Sequence, residues 1–202
     1  MARAGQVFDN PVTGERMVFN KTGYESNGTV LDVEFFVKPN TGKGLTSHFH
    51  PYFAEQVEII AGSAHYVVGK TELPAQAGDM AMLPKDVPHI HPWNVGNDVL
   101  HWRKITQFDK PNMELVLASA AFFESMYALA QQGKVGKNGV PKNPLQSIVL
   151  LQALEPSAYL AGLPIWIQRP LFGVIAAIGR ALGLKADYTA VSTSITRDQV
   201  SR

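Results

Sequence analysis

The chain has 202 residues and a mass of 22.1 kDa, with 46% hydrophobic and 17% charged residues, enough apolar material for a core and too little charge for general disorder. Cysteine is absent, which excludes a disulfide scaffold, a thiolate zinc finger, an iron–sulfur cluster and a thiol nucleophile. Eighteen basic against seventeen acidic residues leave a net charge of +1 with no basic cluster, so nucleic acid is not an expected partner.

The first twenty residues show neither the apolar segment of a secretory signal nor the Arg- and Ser-rich pattern of a transit peptide, and a cytoplasmic protein is expected. Short runs rich in Val, Phe and Tyr then follow one another at 15–21, 29–38, 45–50, 56–61, 64–69 and 98–108, with breaks at Asn10-Pro11, Pro39-Asn40, Gly62 and Gly78. This spacing predicts an antiparallel sandwich or barrel with no helix in it.

After Pro111 the period changes. Met113 to Gln132 carries no Gly or Pro and is apolar around most of its circumference, which predicts a buried helix. A Gly/Lys/Pro loop leads to Asn143 as N-cap and Pro144 as first residue of a second helix that reaches Leu154. A third is expected over Pro164 to Leu182, kinked at Pro170 and ended by Gly183. The predicted organisation is a mainly β barrel over residues 1–110 and a helical C-terminal extension over residues 111–202. These helices carry more apolar surface than one barrel covers, so they are expected to pack on one another, on the barrel's outer face, or across a twofold axis in a homodimer. The competing expectation is peripheral membrane contact through Ile165 to Leu182, with Trp166 and Arg169 near the headgroups.

Four of the six histidines fall in two short segments, His48-Phe-His50-Pro-Tyr-Phe-Ala-Glu55 and Pro84-Lys-Asp-Val-Pro-His89-Ile-His91-Pro-Trp93-Asn94. On an extended strand His48 and His50 point to the same side and can offer two imidazole nitrogens to one ion. Glu55 opens the next apolar run, where a hairpin partner could bring its carboxylate to the same place, and His89 comes from another strand. The plainer reading makes these loop or surface polar groups that fall close together. His91, two residues from His89, faces the same cavity if its strand is extended, either to contact substrate or relay a proton, or as a structural histidine on the wall. Trp93, Tyr52 and Met82 are candidate substrate-pocket residues, with Phe53, Met80 and Trp102 as weaker ones. Aromatic and Met side chains at strand spacing are also what a plain core contains. His65 and His101 lack a ligand partner at suitable spacing and are expected in packing or surface roles.

The stretch Gly42, five residues, His48-x-His50, four residues, Glu55, six residues, Gly62 resembles the first motif of the cupin superfamily. The second cupin motif is matched by Gly78, five residues, Pro84 and then His89. Two departures mark it: Asp86 stands where the family has Gly, and the usual Asn falls one place late, at Asn94. The resemblance implies a double-stranded β-helix, the cupin jelly roll, over the first 110 residues and says nothing of the helical tail. It implies His48, His50, Glu55 and His89 as metal ligands. Asp86 implies a different turn before His89, and Trp93 at the place of Asn implies a small bulge beyond it.

Three imidazoles and one carboxylate suit a divalent transition ion, Fe, Mn, Ni, Cu or Zn, and leave two of six positions open for substrate, or for substrate and dioxygen. The expected function is a metal-dependent enzyme on a small organic molecule, with dioxygenase-like oxidation favoured over isomerase or lyase chemistry. The alternative of another class is a cupin that binds metal or a small ligand without turnover, since this fold serves both.

Overall fold

The structure, a computed structural model, describes residues 2–39, 41, 46–108 and 110–196. Asn40, Gly42 and Leu45, which belong to an expected break, the first motif and an expected strand, lie outside the described residues. The chain enters through β1 (Gln6–Asp9) and β2 (Arg16–Lys21) and makes one turn of helix, α1 (Gly23–Ser26). Eight strands follow: β3 (Val30–Val37), β4 (His48–Phe49), β5 (Glu55–Ala61), β6 (Ser63–Val68), β7 (Thr71–Gln76), β8 (Met80–Leu83), β9 (His89–Asn94) and β10 (Leu100–Gln107). The helical part comprises α2 (Met113–Gln131), α3 (Pro144–Leu154) and α4 (Ile165–Ala181), with the short strands β11 (Tyr159–Leu160) before α4 and β12 (Ile195–Thr196) after it. The turn of helix α1 corrects the expectation of a helix-free first half. A capping box makes it, with Thr22 N donating to Glu25 Oε2 at 2.9 Å, a local device too short to show a period.

All pairings between neighbouring strands are antiparallel, in one sheet of order β12-β1-β2-β3-β10-β5-β8 and another of order β11-β4-β9-β6-β7. Counted from β3 to β10, the eight central strands run first–eighth–third–sixth in one sheet and second–seventh–fourth–fifth in the other. That order is a jelly roll, the double-stranded β-helix. Gly62 makes the tight β5–β6 turn at φ +87°, and a Cβ there would meet Leu100 Cα and Val99 O at 3.0 Å, so no other residue fits without displacement.

Strand alternation sets what points inward. In β10, Trp102, Lys104 and Thr106 are buried, while His101, Arg103 and Ile105 alternate to the other face. In β5 the inward set is Glu55, Val57 and Ile59. Phe35 of β3 stacks on Trp102 at 4.5 Å between ring centroids. On the outer faces Arg103 pairs with Asp32 at 2.6 Å, His101 meets Glu34 at 3.0 Å and His65 meets Glu72 at 2.6 Å, all surface roles.

The helices do not simply coat the outside of the barrel. β12, β1 and β2 extend one sheet beyond its partner, and α2 covers the inner face that this leaves open. Its Leu115, Val116, Ala120 and Tyr127 join Phe8, Met17 and Phe19 in one core. Phe123 of α2 reaches Phe35, at 5.8 Å between centroids. Although α2 is long and apolar enough to cross a membrane by length and composition, 56% of its apolar window is buried within the protein. Asn112 caps α2 and Asn143 caps α3 through their side-chain oxygens. α4 runs through Pro170 as one helix and packs on α3, where a Cβ on Gly179 would come within 2.7 Å of Val149 Cγ2. β11 adds an edge strand beside β4, with Leu160 opposite His48, and β12 adds one beside β1. The C-terminal extension therefore contributes a strand to each sheet, a feature that two-residue segments without apolar alternation do not advertise in sequence.

Candidate metal centre

Five side chains converge inside the barrel: His48, His50, Glu55, His89 and His91 each offer one ligand-type atom, all within 4.8 Å of one another. Cross-strand register assembles them. His48 stands opposite His89 in the β4–β9 pair, and Glu55 starts β5 on its inner face. Two ligands at about 2.1 Å from an ion lie about 3 Å apart at a right angle and about 4.2 Å apart when opposite. The observed separations, Glu55 to His50 Nε2 at 3.5 Å and to His89 Nε2 at 3.6 Å, fall within that range.

Hydrogen bonds decide the tautomers. Nδ1 of His48 faces Thr46 O at 3.0 Å, Nδ1 of His50 faces Ser157 O at 2.7 Å, and Nδ1 of His89 faces Val87 O at 3.0 Å. A carbonyl only accepts, so each Nδ1 carries the proton and each Nε2 presents a lone pair. Nε2 of His50 and of His89 is buried without a hydrogen-bond partner, an arrangement that is costly unless something else satisfies it. An ion bound by Nε2 is such a partner, and the donor set fits one.

His91 is wired the opposite way. Its Nε2 lies 2.6 Å from Glu55 Oε2, and an ionised carboxylate only accepts, so here Nε2 bears the proton. This separates His91 from the three lone-pair imidazoles. Burial, opposed by the neighbouring Glu55, pulls the His91 imidazole from 6.5 to about 4. Burial first, and then the nearby imidazoles of His91, His50 and His89, hold His48 well below the usual histidine value. Both are neutral at pH 7, as ligation requires of His48. For Glu55 burial pushes the carboxyl up, but Lys104, His50 and His91 together outweigh it and hold it well below the usual carboxylate range. It is ionised.

The residue absent from sequence reasoning is Lys104. Its Nζ donates to Glu55 Oε1 at 2.7 Å, with Thr106 Oγ1 at 3.3 Å from the same oxygen, and both Lys104 and Glu55 are buried, at 3% and 1% exposure. The signal was there: Trp102, Lys104 and Thr106 alternate along one strand, and a lysine in phase with a buried tryptophan has to find a carboxylate. Ser157 was equally invisible, because it acts through its backbone carbonyl and lies 107 residues from His50.

Over the cluster opens a cavity of about 400 Å³. His48, His50, Glu55, His91, Lys104 and Thr106 form its inner end, and side chains of α2 and α3 form much of its roof. The expected pocket residues lie elsewhere. Tyr52 and Met82 are more than half exposed and do not line it. Trp93 is buried beside His65, 6.0 Å between ring centroids, on the side away from the cavity. The cause is a bulge in β9: His65 pairs with Trp93 but Val67 with Ile90, so His91 and Pro92 together oppose Tyr66. The bulge lies just beyond His89, where the late Asn94 implied it; it keeps His91 inside and turns Trp93 out. Asp86 itself adopts the left-handed backbone, φ +62°, which Asp tolerates better than most non-glycine residues, so no strand slip follows from it. Phe53, by contrast, lines the cavity and stacks on His50 at 4.5 Å. A second hollow, about 550 Å³ between β1, β2 and Phe36, Lys38 and Val99, contains none of the cluster residues.

No family model and no curated protein matches the sequence. Among solved structures the chain is similar to an uncharacterized protein with a double-stranded beta-helix domain from Klebsiella pneumoniae, at 20% identity over 52% of this chain and 87% of that one, with a TM-score of 0.42. It is similar to a predicted oxalate decarboxylase from Thermotoga maritima at 18% identity, 46% and 80% coverage and a TM-score of 0.42. It is also similar to a sugar phosphate isomerase of the cupin superfamily from Silicibacter pomeroyi at 20% identity, 48% and 62% coverage and a TM-score of 0.41. The first of these carries a double-stranded beta-helix domain and the third is of the cupin superfamily; the jelly-roll architecture of this chain rests on its own strand order.

Proposed function

We propose that this protein is a metal-dependent enzyme acting on a small organic molecule, with one divalent transition ion held by His48, His50, Glu55 and His89. The observation that carries the proposal is the convergence of three imidazole Nε2 lone pairs, each fixed by an Nδ1–H bond to a backbone carbonyl, on an ionised carboxylate at the inner end of a cavity. A bound ion would supply Lewis acidity toward a substrate oxygen and, for iron or manganese, electron transfer to dioxygen. The chain's own contributions are positional. Lys104 and Thr106 hold Glu55 Oε1, His91 holds Oε2 and keeps a proton on Nε2 at the cavity wall, and the roof from α2 and α3 restricts water. Oxidation is favoured over isomerisation or lyase chemistry. A non-catalytic metal-binding role is the second reading, supported by the one feature that oxidation does not need, the dense packing of Glu55 by three donors.

Metal analysis of freshly purified protein with oxygen uptake tests this. Iron or manganese near one per chain with substrate-dependent oxygen consumption is the expected result. Zinc or nickel without oxygen uptake moves the assignment to a lyase, an isomerase or a binding protein. Full metal occupancy in the His48→Ala, His50→Ala double variant would overturn the ligand set.

A further inference from the structure

The cavity joins two unlike ends. Its inner end holds the histidine cluster and the ammonium of Lys104, whose Nζ lies 4.5 Å from the Phe123 ring. Most of its remaining wall is apolar, with Phe122, Phe123, Met126, Ile148, Leu151 and Leu154 prominent. Two physical consequences follow. First, Lys104 cancels the charge of Glu55. A divalent ion on three neutral imidazoles and Glu55 alone would keep one positive charge, and with Lys104 buried beside it the site keeps two. At the low effective dielectric of a buried site, that excess favours an anionic head over a neutral one. Second, beyond the inner end the lining includes one charged side chain among the described residues, Lys142, whose Nζ donates to Gly133 O at 2.8 Å; the helices of the roof themselves offer apolar contact, which rewards an apolar body.

We infer that the ligand of this site is an amphiphilic anion: a carboxylate, enolate or phenolate head directed to the ion and Lys104, and an apolar chain or ring lying under α2 and α3. This rests on the metal-site proposal above and adds the substrate class. Lys104 acts in it as a specificity residue, and the helical extension as the surface that selects the body.

The test uses the full chain loaded with Mn²⁺, its occupancy measured on the same sample, and titrates by calorimetry straight-chain alkanoates from butanoate to decanoate and the alkanols of equal length. Alkanoate affinity should rise about fourfold per methylene until the cavity is filled, and alkanols should bind at least about tenfold more weakly than their alkanoates. Lys104→Met should narrow that head-group preference while preserving the length dependence. Met126→Trp, which fills the roof and leaves the cluster intact, should retain butanoate and lose the longer chains, so the inference stays testable if Lys104→Met folds poorly. Affinity that does not rise from butanoate to octanoate, or alkanols that bind as tightly as alkanoates, overturns the substrate class while full manganese occupancy leaves the metal site standing. A sample that takes up no stoichiometric manganese overturns both.

Discussion

Replacing Lys104 with Met at neutral pH tests how the centre is held together. The ammonium lies 2.7 Å from Glu55 Oε1, and the two side chains are 3% and 1% exposed, so the variant leaves a carboxylate buried without its nearest cation. Breaking a buried pair in this way costs about 3–5 kcal/mol. For a chain of this size each kcal/mol lowers Tm by roughly 2–4 °C, so a fall of about 6–20 °C is expected in metal-free protein. The Lys104→Met, Glu55→Gln double variant should recover most of that loss, since an amide accepts the Thr106 hydroxyl without a charge to desolvate. Adding Mn²⁺ should shrink the loss in the single variant, because the ion supplies positive charge to the same carboxylate, and should do less for the double. Urea and thermal unfolding of the unmodified protein and the two variants, with and without metal, provide the measurement. A single-variant cost under about 1 kcal/mol, or a double variant no better than the single, would refute the claim that these two charges depend on each other.

Acid should destabilise the metal-free protein over a defined window. His91 titrates near 4 when folded and near 6.5 when unfolded, so the unfolded chain binds the proton first and stability falls as pH drops from about 6.5 to about 4, by roughly 3 kcal/mol from this group; a urea midpoint flat across that range counts against a neutral buried His91. Glu15 behaves in the opposite sense, because burial lifts its carboxyl above the usual value against the hydrogen bond from Tyr127. The folded state holds that proton more tightly, so this contribution is greatest at low pH and is lost as pH rises through the raised value. Glu15→Gln should therefore raise the urea midpoint at pH 7 and leave it almost unchanged at pH 4. The outer face of α4 exposes Trp166 at 76%, Val174 at 63%, Ile178 at 52% and Leu182 at 69%; if a second copy covers it, sedimentation equilibrium gives twice 22.1 kDa without detergent, and recovery only from membranes by detergent would favour the lipid alternative.

The legibility of this protein from sequence divides along physical lines. Residues whose role lies in side-chain type at fixed spacing were visible: His48, His50, Glu55 and His89 are brought together, Asn143 caps α3, and α2 begins at the expected Met113. Where facing depends on one inserted residue, spacing fails. The bulge at His91-Pro92 reverses Trp93 while leaving His91 inward, and no periodicity argument distinguishes the two outcomes beforehand. Met82 and Tyr52 failed for a simpler reason: they resemble core residues by chemistry and stand on the exposed side of their segments. Strands of two residues, β11 and β12, carry no pattern at all and exist because their partners' edges are free.

The bond from His50 Nδ1 to the Ser157 carbonyl gives the centre a position in time as well as in space. His50 leaves the ribosome 107 residues ahead of its partner, an interval of about 5–20 s at ordinary elongation rates. During it the jelly-roll strands can pair, yet the imidazole of His50 has no carbonyl to fix its tautomer, and the roof from α3 is not yet made. Ion uptake with the final geometry is thus deferred until synthesis has passed residue 157. A nascent chain that meets competing metals meets them with an unfinished site, and would select among them only once its C-terminal third has folded onto the barrel.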